Sequence, residues 1–416
     1  MDTLTHSLAG ALIGETAARL VRDREGGLPS KARRNIFASL MVIGSNLPDS
    51  DFLYSVVTRS KLDYLLQHRG YTHTIVGVVV EAILMFLVCE LWIRRRKLSA
   101  DSLDRAVIFL LALIGPLIHI SMDATNTFGV HPLWPFDSHW FYGDSIFIIE
   151  PLLWAAAVPL LFTLRTPWGR AMGVVLVLTA VTWIFSTGLI TMSSGAALLT
   201  LTVAMLAVGY FAVPRKALIA AMGVWAAITA MFIQAHGLAQ DHTSTVLSQR
   251  FPHATTLDQA LSPMPANPVC WEVVTAHVEG DRYAMRRAML SLAPGWMPAE
   301  QCPQRRLNDP TTARVKPVVE GADAYHGPDS AQWKWYGELV IPRGELARLA
   351  RERCEVGAFM RFSRIPFAER IEGQWVLGDF RYDREAALSF AEWELAEKQK
   401  CPARVPWAPP RAELLQ

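Results

Sequence analysis

Six stretches of this chain, residues 75–93, 106–122, 148–164, 171–190, 195–213 and 217–235, are nearly free of charge. Each is about 17–20 residues long, enough for a helix to cross roughly 30 Å of hydrocarbon. In lipid the backbone must satisfy its own hydrogen bonds, so such runs are helices. Two weaker candidates lie upstream. "LTHSLAGALIGETAARL" (Leu4–Leu20) is interrupted by His6, Glu15 and Arg19, and "NIFASLMVIGSNLP" (Asn35–Pro48) is short. Residues 240–416 have the mixed composition of an ordinary soluble domain. The expected fold is a polytopic α-helical membrane protein of about eight helices, the first two short, followed by an extracytoplasmic α+β domain. The expected divisions are residues 1–155, 156–238 and 240–416. The opening "MDTLTH" has no basic residue before Arg19, which argues against a cleaved secretory signal.

Lysine and arginine orient these helices. Arg94–Arg105 carries five basic residues, 123–147 none, and basic residues return at Arg165–Arg170 and Pro214–Lys216. By the positive-inside rule the basic loops face the cytoplasm. The six basic residues between Arg19 and Asn35 fit the same scheme if both weak helices cross, which favours eight spans over six. Both termini and everything after about Gln240 then lie outside, as in a multi-pass bacterial inner-membrane protein. A net charge of +2 without a clustered basic excess argues against a nucleic-acid partner.

The same orientation places His6, "NLPDSD" (Asn46–Asp51), His68, His73, His119 and Asp123 at the outer face. Imidazole and carboxylate are the usual ligands of zinc, manganese or iron. Taken singly, His6 reads as a polar helix-end residue, Asp49 and Asp51 as caps, and His119–Asp123 as a hydrogen-bonded pair. Gathered at one face, they read as a divalent-metal site: His6, Asp49, Asp51, His68, His73, His119 and Asp123. His119 and Asp123 are four apart and share a helical face. Pro48 should end the preceding helix, leaving Asp49 and Asp51 on extended chain, both pointing one way. Asn126 is a candidate to orient a ligand. His131 and His139 read as loop residues, and Trp134, Phe136, Trp140, Phe141 and Tyr142 suit the headgroup level or a slot for an amphiphile.

At these residues, "MDTLTH", "LPDSD", "HRGYTHT", "HISMDATNTFG" and "FYGDSIFIIEPLLW", the chain resembles the YdjM-like inner-membrane metal-dependent hydrolases. The resemblance covers residues 1–155 by motif and the later spans more loosely. It implies that His6, Asp49, Asp51, His68, His73, His119 and Asp123 are ligands. A more distant similarity is to zinc-dependent phospholipase C and the S1/P1 nucleases, in which His-x3-Asp recurs as a ligand pair. Glu150 departs from the pattern, which leads one to expect aspartate before the proline. The activity implied is metal-dependent hydrolysis of an ester or phosphoester, with zinc the first choice of ion and manganese the second. The substrate reaching this level of the membrane would be a lipid. Asp49, Asp144 and Arg69 are the catalytic candidates, Arg69 as an anion holder or a headgroup anchor.

A second expectation is a non-catalytic metal-binding protein whose outer domain binds a protein partner. A transporter ranks below both, since Glu81 and Glu90 are the few acids within the spans and no repeat is seen. In the outer domain "QWKWYGELVI" and "EGQWVLGDFRYD" alternate as strands do. "GELARLARERCEVGAFMRFSR" begins with helical spacing, and "DREAALSFAEWELAEKQ" reads as a helix. Cys270, Cys302, Cys354 and Cys401 all lie in this domain and allow two disulfides in three pairings. No Cys-x2-Cys spacing points to zinc instead.

Overall fold

The computed structural model describes residues 1–164, 166–303, 330–371, 373–383, 388–395, 401–402 and 404–416. Arg165, part of one basic loop, lies outside them. The chain divides into two compact units. The first comprises Met1–Asp51, Arg69–Trp134 and Phe141–Phe232, and the second Phe52–His68, Pro135–Trp140 and Ile233–Gln416.

In the first unit the helices are α1 (Thr3–Leu20), α2 (Ser30–Gly44), α5 (Ile75–Arg95), α6 (Ser102–Asp123), α7 (Pro151–Ala156), α8 (Pro167–Ser186), α9 (Met192–Phe211) and the start of α10 (Pro214–Arg250). The short helices α3 (Phe52–Thr58) and α4 (Lys61–Gln67) belong to the second unit. Among the described residues α5, α6, α9 and α10 are long and apolar enough to cross a membrane.

Local sequence sets the helix starts. Asp2 accepts from the Thr5 amide at the head of α1, and Thr74 caps α5 through the Gly77 amide. Asp101 and Asp104 form a reciprocal capping box at the head of α6. Helices α1 and α2 cross closely at Gly10 and Gly14. A Cβ on Gly14 would stand 2.6 Å from the Phe37 carbonyl oxygen, so only glycine permits the approach.

The apolar run at 148–164 is not one helix. It forms α7 and then a 3-10 stretch, Val158–Thr163, with Pro159 in its first turn. Proline cannot donate to a continuing helix, which accounts for the break. The segment nonetheless travels the length of α1: Trp154 Nε1 donates to Thr5 Oγ1, and Arg34, which also holds Glu15, donates to the Thr163 carbonyl. At that same end of α1 Arg24 holds Asp101 and Asp104 at 2.7 and 3.0 Å, bringing two basic loops side by side.

The second unit contains two antiparallel sheets. Strands β1 (Thr255–Met264), β2 (Asn267–Glu279), β3 (Arg282–Ser291) and β4 (Trp333–Pro342) pair in sequence order. Helices α11 (Glu345–Glu352) and α12 (Cys354–Phe359) follow, then β5 (Pro366–Ile371), β6 (Gln374–Asp379) and β7 (Glu392–Glu394) form the second sheet. Trp271, Val273, Ala288, Leu290 and Trp333 fill the core beneath the first sheet. The alternation in "QWKWYGELVI" and "EGQWVLGDFRYD" is realised as β4 and β6. The helix expected over "DREAALSFAEWELAEKQ" is corrected where it is described, because Glu392–Glu394 pairs with β6 as an edge strand. Ladder pairing overrides helical propensity there. The remainder of that helix, at 384–387 and 396–399, lies outside the described residues. The disulfides are Cys270–Cys302 and Cys354–Cys401.

Candidate metal centre

Asp49, His73, His119 and Asp123 each offer a ligand atom within 4.8 Å of the others. Two come from the end of α6, one from the turn before α5 and one from the turn after α2. Nε2 of His73 lies 3.1 Å from Nε2 of His119. Asp49 Oδ1 is 3.5 and 3.4 Å from those two nitrogens, and Asp123 Oδ2 is 3.3 and 3.4 Å from them.

The other ring nitrogens decide what those Nε2 atoms are. His119 Nδ1 is 2.8 Å from the Ser45 carbonyl oxygen, which can only accept, so Nδ1 carries the proton. On a neutral ring Nε2 is then a lone pair aimed at the cluster. His73 Nδ1 faces Thr72 Oγ1 at 3.0 Å and Asp51 Oδ2 at 3.3 Å. Thr72 already donates to Asp51, so His73 Nδ1 is again the donor. Two imidazole lone pairs and two carboxylates converge, each ring fixed from behind. That is the arrangement by which outer partners orient metal-binding histidines, and the donor set fits a divalent ion. Asp123 Oδ2 accepts no hydrogen bond within this set, although it is buried.

Electrostatics agree. Burial alone would lower the His73 pKa, but the carboxylates of Asp123, Asp49 and Asp51 outweigh it and raise the ring to about 10. Burial alone would raise Asp49, yet the His119 and His73 rings hold its carboxyl well below the usual range. The pocket attracts positive charge.

The remaining sequence candidates divide. His6 is fully buried, its ring stacked on His119 at 3.9 Å and its Nε2 3.3 Å from Asp123 Oδ1. Asp51 stands behind His73, where it also accepts from the Arg69 amide at 2.8 Å. The expectation of extended chain at Asp49 and Asp51 is corrected: Leu47–Asp51 is a 3-10 turn, and α2 already stops at Gly44. Pro48 fits such a turn because its fixed φ suits it. The two acids therefore reach opposite sides of the His73 ring. His68 lies outside the group of four, in the second unit, stacked on Tyr64 at 5.0 Å.

Arg69 is 2% exposed and adopts a φ of 60°, a left-handed conformation that non-glycine residues rarely take. Its guanidinium reaches Asp123 Oδ1 at 2.9 Å, Asn126 Oδ1 at 3.0 Å and the Gly129 carbonyl at 3.2 Å, over the Phe128 ring. It braces Asp123. Asn126 orients that arginine. Asp144 is buried, with φ of 49°, beside Gly143, which presses on the Ala124 carbonyl. Glu150 caps α7 through the Leu152 amide at 2.9 Å. His131 and His139 both lie in the loop, His139 exposed and paired with Asp137 and His131 fully buried. Sequence reasoning gave no place to the Ser45 carbonyl or to the Met1 amino group, which ion-pairs with Asp123. No residue-type signal marks a backbone carbonyl.

A 153-residue stretch of this chain is 27% identical to the uncharacterized protein YfhP of Bacillus subtilis (strain 168), covering 37% of this chain and 43% of that protein. The chain thus spans less than half the length of that curated relative. No solved structure matches. The profile of the YdjM inner membrane protein family matches residues 1–235, more than half the chain and all four members of the His/Asp cluster. The chain belongs to the YdjM inner membrane protein family.

Proposed function

We propose that this membrane protein is a metal-dependent hydrolase whose ion is held by Asp49, His73, His119 and Asp123, with His6 packed against them. The observation that carries the reading is the pair of Nε2 atoms facing each other at 3.1 Å, each ring anchored through Nδ1. Zinc suits two imidazoles and two carboxylates best, and manganese is the alternative. A divalent ion there would supply Lewis acidity to a phosphoryl or carbonyl oxygen and to water. Asp49 is the ligand on the open side of the centre, its side chain 27% exposed while the other three members are at 0–1%, and only its oxygen left unligated by the ion would be free to take a proton. Asp144 is the second choice of proton acceptor. Arg69 fixes Asp123 and leaves substrate binding to other groups.

An ion held for structure alone would call for a closed cage. The exposed side at Asp49 favours the enzyme over the non-catalytic alternative. The substrate class is an ester or phosphoester carried by a lipid. In support, an apolar cavity of about 580 Å³ lies between α2 and α5, lined by Ile36, Leu40, Ile43, Leu47, Leu84 and Met85, and Leu47 is two residues from Asp49. Eight spans with the C-terminal domain outside the cytoplasm complete the reading. Two disulfides in that domain support it, since they persist in oxidising compartments.

The test is metal content and hydrolysis by detergent-purified protein, wild type beside His119→Ala and Asp123→Ala. Stoichiometric zinc or manganese in wild type, lost in both variants together with cleavage of a phospholipid or ester probe, is expected. Equal metal content in all three folded proteins would overturn the ligand set.

A further inference from the structure

Glu81 sits two turns into α5, a helix long and apolar enough to cross a membrane, 7% exposed, and neither of its carboxylate oxygens meets a hydrogen-bond donor among the described residues. An acid buried at such depth is costly and is seldom kept without a task. Its neighbours show where it stands. Met85, one turn further along α5, lies against Gly44, and so does Gly115 of α6. One turn toward the outer end from Met85 is Glu81, and one turn toward the outer end from Gly115 is His119. Helical rise agrees: Glu81 is about 9 Å in from Ile75, and His119 is about 6 Å in from Asp123. The ionisable groups that act on Glu81 are His73, His119 and Asp51. It therefore lies on α5 near the level that His119 occupies on α6.

We infer that Glu81 is a further carboxylate ligand of the same centre, closing on the divalent ion from within the bilayer. This rests on the reading that Asp49, His73, His119 and Asp123 hold such an ion. Glu81 stands outside the group of four as it lies, and a side-chain rotation over the roughly 3 Å of rise that separates the two levels would bring it in. The approach of a cation also removes the cost of an unpaired buried carboxylate. The acid is thus poised for a partner that none of the described residues provides.

Calorimetric titration of the full-length detergent-purified chain with Zn²⁺ and with Mn²⁺ tests this, using wild type, Glu81→Gln, Glu81→Asp and Asp123→Ala. Glu81→Gln should bind at least tenfold more weakly than wild type, with Glu81→Asp between them. The melting temperature of Glu81→Gln in chelator should equal or exceed that of wild type, because a neutral amide replaces an unpaired acid. If Glu81→Gln does not fold, Glu81→Met, similar in volume and apolar, takes its place under the same criteria. Wild-type affinity in a folded Glu81 variant, with binding lost in Asp123→Ala, would overturn the role of Glu81 and leave the metal centre standing. No uptake by wild type at all would instead remove the metal centre, and this inference with it.

Discussion

His73 carries two duties on one ring. Its Nε2 points to the cluster, while its Nδ1 leans on Asp51, so Asp51 would tune an ion held there without being one of the four convergent groups. Asp51→Asn should keep the fold and weaken zinc affinity by about 10–100-fold, the usual cost of losing a partner behind a ligand. Titration calorimetry checks this, and an unchanged affinity would show that the ring is held by Thr72 alone. Of the residues that residue type singles out, Asp49, His73, His119 and Asp123 come together, with the His6 ring stacked beside His119. The division into ligands and braces was not foretold, because it depends on which nitrogen faces which neighbour. In the second unit His277 is buried between Thr275 and Thr256. Burial, and then the Arg286 charge, lower its pKa to about 3. The unfolded chain takes up this proton near pH 6.5 and the folded one does not, so stability falls as pH drops from 6.5 toward 3, by at most about 1.4 kcal/mol per pH unit. Urea unfolding at pH 7 and pH 5, followed by tryptophan fluorescence, should show a smaller loss in His277→Gln than in wild type. Equal losses would assign the acid sensitivity to other groups.

At the scale of elements, periodicity and length located α1, α5, α6, α8 and α9 within a few residues. They did so because an apolar helix in lipid has no competing structure. Where shorter-range forces compete, the sequence was less informative. The turn at Leu47–Asp51 and the break after α7 both follow from a proline whose effect depends on its neighbours. Helix α4 could not have been assigned to its unit at all, since Lys61 donates to the Ser389 and Glu392 carbonyls more than 300 positions away. Cys354–Cys401 closes a separation of 47 residues around α12, β5, β6 and β7. Replacing both cysteines by serine should cost about 4 kcal/mol on a loop-entropy estimate. It should also lower the urea midpoint of the tryptophan signal from this sheet. A midpoint equal to that of wild type would mean that the reduced chain is already held together by the Lys61 contacts and its core.

For the whole molecule, the charge asymmetry of the loops is the strongest guide. The Arg24–Asp101 contact places two basic loops at one end of the first unit, with the His/Asp cluster at the other. On the proposed topology, that basic end would face the cytoplasm and the cluster would face outward. In intact cells a membrane-impermeant maleimide should label a cysteine introduced at Ser138 and spare one at Lys97 until the membrane is opened, in a background with Cys89 replaced. Labelling of the Lys97 position in intact cells would invert the arrangement and place the C-terminal domain in the cytoplasm.

The Ser45 carbonyl has one more consequence. A scan that replaces each residue in turn reads side chains, and it would register Asp51 at once. It would pass over Ser45, because every amino acid brings the same carbonyl to His119. The scan would instead register a hit at Gly10, a residue that touches no ligand. Any Cβ there would stand 2.6 Å from the Met41 carbonyl oxygen and 2.4 Å from the Ser45 hydroxyl. The strand of chain that carries the His119 anchor would be pushed aside. Mutational sensitivity at this centre is therefore displaced from the group that acts to the glycine that leaves room for it.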